Sequence, residues 1–387
     1  VLFFVEGFTD IRFVVGLSEI SSLTLCVPEV TYRESGLKER VAASGAALRV
    51  VEIPGGRPAF QLRSLAWLWT HAREHDAILS QELLRGSLNA TVVGRLRGVP
   101  VLTTVAIAPV EYFRCRRVRR QIGPASAWIG EAAIRALMTV NGALSTRCLA
   151  LGDYLRQLVS AYCPRTVRGY YYGIDTARFV PPGREERRAL RQALRLPGDA
   201  FLVFLASRIS HEKDPETVIR AVAALRADGV PAVLMNLSGG HERFAELARA
   251  IAGPDADAWV IARPAAHPVL EVADYFRAAD VTVQASLAEG LGLSPLESLA
   301  CGTPVVATAV GGMAVHLRGI ATLVAGGDAR GMADGLRWVA SHPEDARAQA
   351  LAGRDVVARE WSREKAFSDL ARVIDDCVRR RPFTEAE

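Results

Sequence analysis

The feature that most restricts how this 387-residue chain can fold is a repeated alternation of short apolar runs with longer stretches of helical spacing. Such alternation marks βαβ units and a parallel sheet, because a strand covered on both faces reads as an unbroken apolar run and the returning helix supplies the cover. In the front half the strand candidates are VLFFVEG, LTLCVP, LRVVEIP, AILSQ and VPVLTTVAIAP, with helical spacing over Asp10 to Ile20 and Gly86 to Arg97. The series halts at YYYGIDTARFVPPGREERR, where Gly173 and the pair Pro181 and Pro182 break any helix. A second series follows: FLVFLAS, AVLMNLSGG, AWVIARP, VTVQAS, TPVVATAVGG and IATLVAGG, with helices over Pro215 to Asp228, Glu242 to Ala252 and Pro268 to Ala278. The length suits two domains better than one core. The expectation is an α/β protein of two doubly wound, Rossmann-like domains, residues 1–178 and 179–361, with ligands held in a cleft lined by the carboxyl ends of the strands.

Composition removes several function classes. Half of the residues are hydrophobic and 23% are charged, as in globular chains. No run reaches the ~18 uncharged apolar residues needed to span a bilayer, and VLFFVEG lacks the basic flank of a leader, so a cytoplasmic location is expected. The six cysteines contain no C-x-x-C pair, which suggests neither a zinc clip nor a disulfide framework. His71 and His75 stand four apart, but without a third ligand they read as a helix face rather than a metal site. Through Arg178 there are 22 basic residues against 14 acidic ones, and 25 against 28 beyond it, so the front half carries the positive charge. Only Lys38, Lys213 and Lys365 among the basic residues are lysine.

The densest chemistry lies in AEGLGLSPLESLACGTPVVATAVGG, residues 288–312. After a strand ending at Ser286, the turn Glu289-Gly290-Leu291-Gly292-Leu293 leads into a helix at Ser294-Pro295-Leu296-Glu297. One reading makes Ser294 the N-cap, Pro295 the first helical residue and Glu297 the partner in a capping box. The other starts from the glycines, which let backbone N–H groups approach a diphosphate at the positive end of the helix. Glu289 then reaches the neighbouring group and Glu297 accepts hydrogen bonds from ribose hydroxyls, since carboxylates suit neutral hydroxyls and repel phosphate.

Glu289 and Glu297, seven residues apart and followed by ACGTPVVATAVGG, resemble the E-x7-E signature of the retaining glycosyltransferases of family 4, which have the GT-B fold. ASRISHEKDPETVIRAVAAL, residues 206–225, is similar to that family's strand, arginine, loop, E-K and helix segment. The resemblance implies that Arg208 and Lys213 hold the donor diphosphate, with Glu289 completing the catalytic set. Charge agrees, because a leaving diphosphate gains negative charge as the glycosidic bond breaks. LMNLSGG, which contains Gly239, and the stretch around Arg263 resemble the borders of the donor site, the latter meeting the nucleobase through its backbone. REWSREKAFSDLARVIDDCVRR is similar to the terminal helix, about residues 362–382, that crosses back to the front domain.

The resemblance covers residues 170–382 by motif and the front domain by architecture. There the first loop, EGFTDIR, has Gly7 alone where a glycine pair is usual, and Ala106 stands where a histidine is common. Gly7 and, as substitutes, Glu82, Arg85 and Glu111 are the acceptor-side candidates. The implied reaction is displacement of a nucleoside diphosphate from an activated sugar by a hydroxyl of a polysaccharide, lipid or small molecule. No metal or other cofactor is expected, because no Asp-x-Asp pair stands where a Mg²⁺-dependent transferase would use it. A nucleotide-sugar epimerase and a non-catalytic nucleotide-sugar binder remain as alternatives. EYFRCRRVRRQIG sets five arginines among residues 114–120; it reads as a solvated face or as a contact with anionic headgroups at the inner face of a membrane. Nucleic acid is not an expected partner.

Overall fold

The computed structural model describes residues 1–7, 9–118, 123–265 and 268–383, the side chains at 57, 116–118 and 268–271 excepted. The chain divides into two compact units. The front one comprises Val1–Phe113, Ile122–Gly173 and Arg363–Glu387; the rear one comprises Ile174–Ser362 with Arg114–Gln121.

The front sheet is built from β1 (Leu2–Phe4), β2 (Leu23–Pro28), β3 (Leu48–Ile53), β4 (Ile78–Gln81), β5 (Val101–Val105), β6 (Arg147–Leu151) and β7 (Thr166–Gly169). The rear sheet comprises β8 (Phe201–Leu205), β9 (Ala232–Leu237), β10 (Val260–Arg263), β11 (Val281–Gln284), β12 (Val305–Thr308) and β13 (Thr322–Val324). All neighbouring pairs run parallel. The orders are β3-β2-β1-β4-β5-β6-β7 and β10-β9-β8-β11-β12-β13. In each sheet the chain therefore reverses its direction of travel beside the first strand, and a crevice opens outside the carboxyl ends of β1 and β4 and, separately, of β8 and β11. This is the GT-B architecture, with two doubly wound domains.

Each sheet packs helices against its own core: Leu2, Phe4, Phe60, Ile78 and Val101 in front, and Val203, Leu234, Phe244, Val283 and Val306 behind. The terminal helix, Arg363–Val378, belongs to the front unit. Its Phe367 stacks on Phe13, with ring centroids 6.2 Å apart, and lies over Gly16, where a Cβ would stand 2.0 Å from the Phe367 ring. Only glycine allows that approach. Arg363 adds an ion pair to Glu19 at 2.7 Å.

β6 and β7 have no counterpart among the sequence-based candidates. β6 begins with an arginine, and burial of that charge depends on Asp376, distant in sequence, so local hydrophobicity understates the strand. β7 is only four residues long and includes Arg168.

Candidate functional site

In the rear unit the loops that follow β8 and β11 are tied together at the crevice. After β8 the chain turns through His211–Lys213 and reaches Asp214 with φ +44°, before the helix Pro215–Ala227. Leu287 N–H, after β11, donates to the Glu212 carbonyl at 2.7 Å. The Lys213 ammonium meets Glu289 Oε2 at 2.5 Å, and both side chains are largely buried, with 15% and 11% exposed. The Ser286 hydroxyl donates to the same oxygen at 3.0 Å. Glu289 Oε1 has no partner among the described residues. The structure thus brings Lys213 and Glu289 into one ion pair and leaves one carboxylate oxygen available.

The glycine turn is held from below. Gly312 N–H donates to the Glu289 carbonyl at 3.0 Å, and a Cβ on Gly312 would lie 2.0 Å from the Gly290 carbonyl oxygen. Gly292 has φ +90°, and a Cβ there would meet Met313 Cγ at 2.7 Å. Leu291 is buried, so at this position the turn can offer a ligand backbone rather than side chain. The helix starts at Leu293, not at Ser294, with Gly292 as its N-cap and no side-chain cap. This corrects the expected capping box: the Ser294 hydroxyl instead donates to the Ala206 carbonyl at 2.8 Å, fastening the helix to the end of β8. The first-turn N–H groups lack a capping side chain and carry the positive end of the helix dipole. Glu297 is buried one turn further on.

The other rear candidates stand differently. Arg208 is 80% exposed and 3.6 Å from Glu212, apart from the Lys213–Glu289 pair. Gly239 follows β9 in a turn where no atom lies within 4 Å of a built Cβ. The Arg263 guanidinium caps the carbonyls of Leu194 and Arg195 at 2.6 and 3.2 Å, while its own carbonyl accepts from Ser238 N–H at 3.1 Å. Sequence reasoning gave no role to Ser286, Thr308 or the Gly311–Gly312 pair. Thr308 Oγ1 donates to the Ser286 carbonyl at 2.6 Å, so the run ATAVGG is a clamp on the glycine turn.

In the front unit, Glu82 directly follows β4 with φ +67°, a left-handed conformation that costs a non-glycine residue on the order of 1 kcal/mol or more. Its Oε1 accepts from Ala106 N–H at 3.0 Å, and its Oε2 is sealed from solvent without a hydrogen-bond partner among the described residues. Burial pushes the carboxyl up to about 8, against the opposing pull of the Ala106 and Ile107 N–H groups. Tyr171, also left-handed at φ +54°, accepts from Asp10 N–H at 3.4 Å. Arg85 pairs with Glu6 at 2.6 Å. Gly7 has open space around it, and Glu111 accepts from the Tyr154 hydroxyl. Burial, followed by the hydrogen bond to Glu111 and then its charge, raises the Tyr154 phenol.

His71 stacks on Trp67 with centroids 4.7 Å apart, and its Nδ1 lies 2.9 Å from the Trp67 carbonyl. Among the described residues no group of three or more His, Cys, Asp or Glu side chains could hold a metal, and no helix is long and apolar enough to cross a membrane. Of the arginine run, only Arg114 has a described side chain; residues 119–122 lie outside the described residues.

Residues 186–356 match the family described as "Glycosyl transferases group 1". A D-inositol 3-phosphate glycosyltransferase of Catenulispora acidiphila is 31% identical over 294 residues, covering 72% of this chain and 66% of that one. Another, of Xylanimonas cellulosilytica, is 35% identical over 220 residues, covering 54% and 51%. The matched segments thus span about half to two thirds of these relatives. Among solved structures, Anabaena HepE in complex with UDP-glucose superposes with a TM-score of 0.79 at 14% identity, over 97% of this chain and 99% of that one. WaaG, a glycosyltransferase involved in lipopolysaccharide biosynthesis, gives 0.71 at 16% identity, over 97% and 99%. At such identities these likenesses concern the fold. The chain has the GT-B fold, and through residues 186–356 it is related to the group 1 nucleotide-sugar glycosyltransferases.

Proposed function

We propose that this protein transfers a sugar from a nucleoside-diphosphate sugar to an acceptor hydroxyl, without a metal and with retention at the anomeric carbon. The observation that carries this reading is the Lys213–Glu289 pair beside an uncapped, glycine-entered helix at the β8/β11 crevice. A diphosphate seated on the 290–293 turn takes hydrogen bonds from its N–H groups, and Lys213 shares its charge between that ligand and Glu289. Glu289 Oε1 accepts from a hydroxyl of the donor sugar, Glu297 from the ribose, and the long arm of Arg208 folds in from solvent onto the phosphates. Gly239 and the backbone at Arg263 border the nucleotide.

The bond between the anomeric carbon and the phosphate oxygen breaks, and its electron pair leaves with the diphosphate. The acceptor oxygen forms the new bond on the same face, and its proton passes to the departing phosphate oxygen. In the front unit Gly7, Arg85 and Glu111 are the residues left to meet the acceptor, and Glu82, sealed from solvent with its proton retained near neutrality, holds the Ala106 backbone beside them rather than touching the acceptor itself. The matched relatives are named for action on D-inositol 3-phosphate and HepE is solved with UDP-glucose, so UDP-sugars and phosphorylated polyols are the first pair to assay.

Incubation with a panel of nucleotide sugars and acceptors tests the proposal. Acceptor-dependent release of nucleoside diphosphate supports transfer. An altered sugar with its diphosphate intact assigns epimerisation, and thermal protection without turnover assigns binding alone. Contact of the 114–120 arginine run with anionic lipid is a separate proposal, and unchanged vesicle partition of its five-Arg-to-Gln variant at low salt overturns it.

A further inference from the structure

The front unit also contains a cavity of about 600 Å³ at the amino-terminal edge of its sheet, the end opposite Glu82. It lies beneath the starts of β5, β6 and β7, where the helices Arg85–Arg97, Pro124–Leu144 and Arg363–Val378 all finish. Helix ends of this kind attract cations. Part of the basic lining is explained in that way: Arg165 donates to the carbonyls of Thr146 and Ser145 at 2.9 and 3.0 Å, and Arg147 to those of Arg381 and Pro382 at 3.3 and 3.4 Å.

Those bonds to neutral carbonyls leave the formal charges in place; outside the lining, Asp375 lies 3.9 Å from Arg381. Arg95, Arg147, Arg165, Arg380 and Arg381 line the cavity against one carboxylate, Asp376. Asp376 is shared, 2.9 Å from Arg381 and 3.8 Å from Arg147, and the Arg147 side chain is only 3% exposed. The buried floor is balanced by the Arg147–Asp376 pair, and the excess positive charge stands on Arg95, Arg165, Arg380 and Arg381, which are exposed at the mouth of the cavity. At the rim, the guanidiniums of Arg95 and Arg380 have no hydrogen-bond or ion-pair partner among the described residues.

We propose that this cavity binds a soluble small molecule bearing a phosphate or diphosphate, gripped by Arg95, Arg165 and Arg380 above the Arg147–Asp376 floor. Planar guanidinium forks match phosphate oxygens bidentately, and Phe383, over which Arg147 sits at 5.8 Å, offers an apolar wall to the organic part. The site is separate from the β8/β11 crevice and does not depend on the reading of that crevice.

Calorimetric titration of inorganic diphosphate into the wild type, Lys213→Ala and the double variant Arg95→Gln/Arg380→Gln tests it. The wild type shows two classes of site. Lys213→Ala keeps the cavity class, and the double variant weakens that class at least tenfold while melting as the wild type does, since neither arginine loses an internal contact. Two unchanged classes in the double variant overturn the proposal, as does a wild type whose only class disappears with Lys213→Ala. If Lys213→Ala changes nothing while the double variant loses one class, the cavity stands and the donor assignment falls. Displacement of diphosphate by phosphatidylglycerol vesicles as effectively as by glycerol phosphate assigns the phosphate to a lipid surface and overturns the small-molecule assignment.

Discussion

The β8/β11 crevice of the rear unit and the β1/β4 crevice of the front unit arise from the same strand order, yet they treat charge in opposite ways. Behind, a lysine and a glutamate neutralise each other at 2.5 Å, beside a helix end whose N–H groups lack a capping side chain. In front, an acid follows its strand in a left-handed conformation with one oxygen sealed and unpaired, so burial keeps it protonated. One crevice pairs its charges beside an uncapped helix start, and the other buries a neutral acid. Topology determines where a crevice opens, and the loop residues determine what it holds.

Breaking the rear pair has the largest expected effect. Under the proposed function, Lys213→Ala lowers turnover by at least ~100-fold, because the charge proposed to face the leaving diphosphate is lost. It also destabilises the rear unit by roughly 2–4 kcal/mol, because Glu289 remains buried without its counter-charge. Lys213→Ala/Glu289→Ala recovers most of the melting temperature and none of the turnover. A double variant no more stable than the single one would show that the ion pair is not what holds these loops. Gly292→Ala is next. With φ +90° and Met313 Cγ 2.7 Å from the new methyl, it costs about 1–3 kcal/mol in a denaturant melt and weakens nucleotide binding together with stability.

The front crevice gives a pH signature instead. The Glu82 carboxyl stands at about 8 in the fold against an ordinary 4.5, so over that interval the native state holds a proton that the unfolded chain has lost. Its contribution is fully present below about 4.5 and erodes as pH rises to about 8, by a few kcal/mol in order of magnitude. Glu82→Gln flattens that part of the stability profile, measured by urea melts at pH 5, 7 and 8.5. An unchanged slope would remove the contrast between the crevices. The smallest effect is expected at Arg208, whose side chain is 80% exposed. Arg208→Gln raises KM for the donor several-fold with stability within ~0.5 kcal/mol of wild type. Glu297→Gln lies between these cases, weakening nucleotide affinity more than it lowers the melting temperature, as the helix start does not use this side chain as a cap.

Much of this was legible in the sequence because both signals are local. Strands buried on both faces announced the two doubly wound units, and the rear six appeared in order from FLVFLAS to IATLVAGG. Glycines forced by φ or by close approach, as at Gly292 and Gly312, left a motif that could be recognised. What remained hidden depends on contacts distant in sequence. β6 begins with an arginine whose carboxylate lies on the terminal helix, the Ser294 hydroxyl prefers a carbonyl at the end of β8 to its own helix, and Arg263 turns to the carbonyls of Leu194 and Arg195. Glu82 stood out only as one of four acceptor-side candidates, since neither backbone strain nor a sealed oxygen can be read from composition.

The most direct measurement is a calorimetric titration of UDP into the wild type and Lys213→Ala. The account predicts that the tighter isotherm of the wild type weakens at least tenfold in the variant, with a smaller dependence on salt. Equal affinity in the two proteins would contradict a diphosphate seat at the β8/β11 crevice.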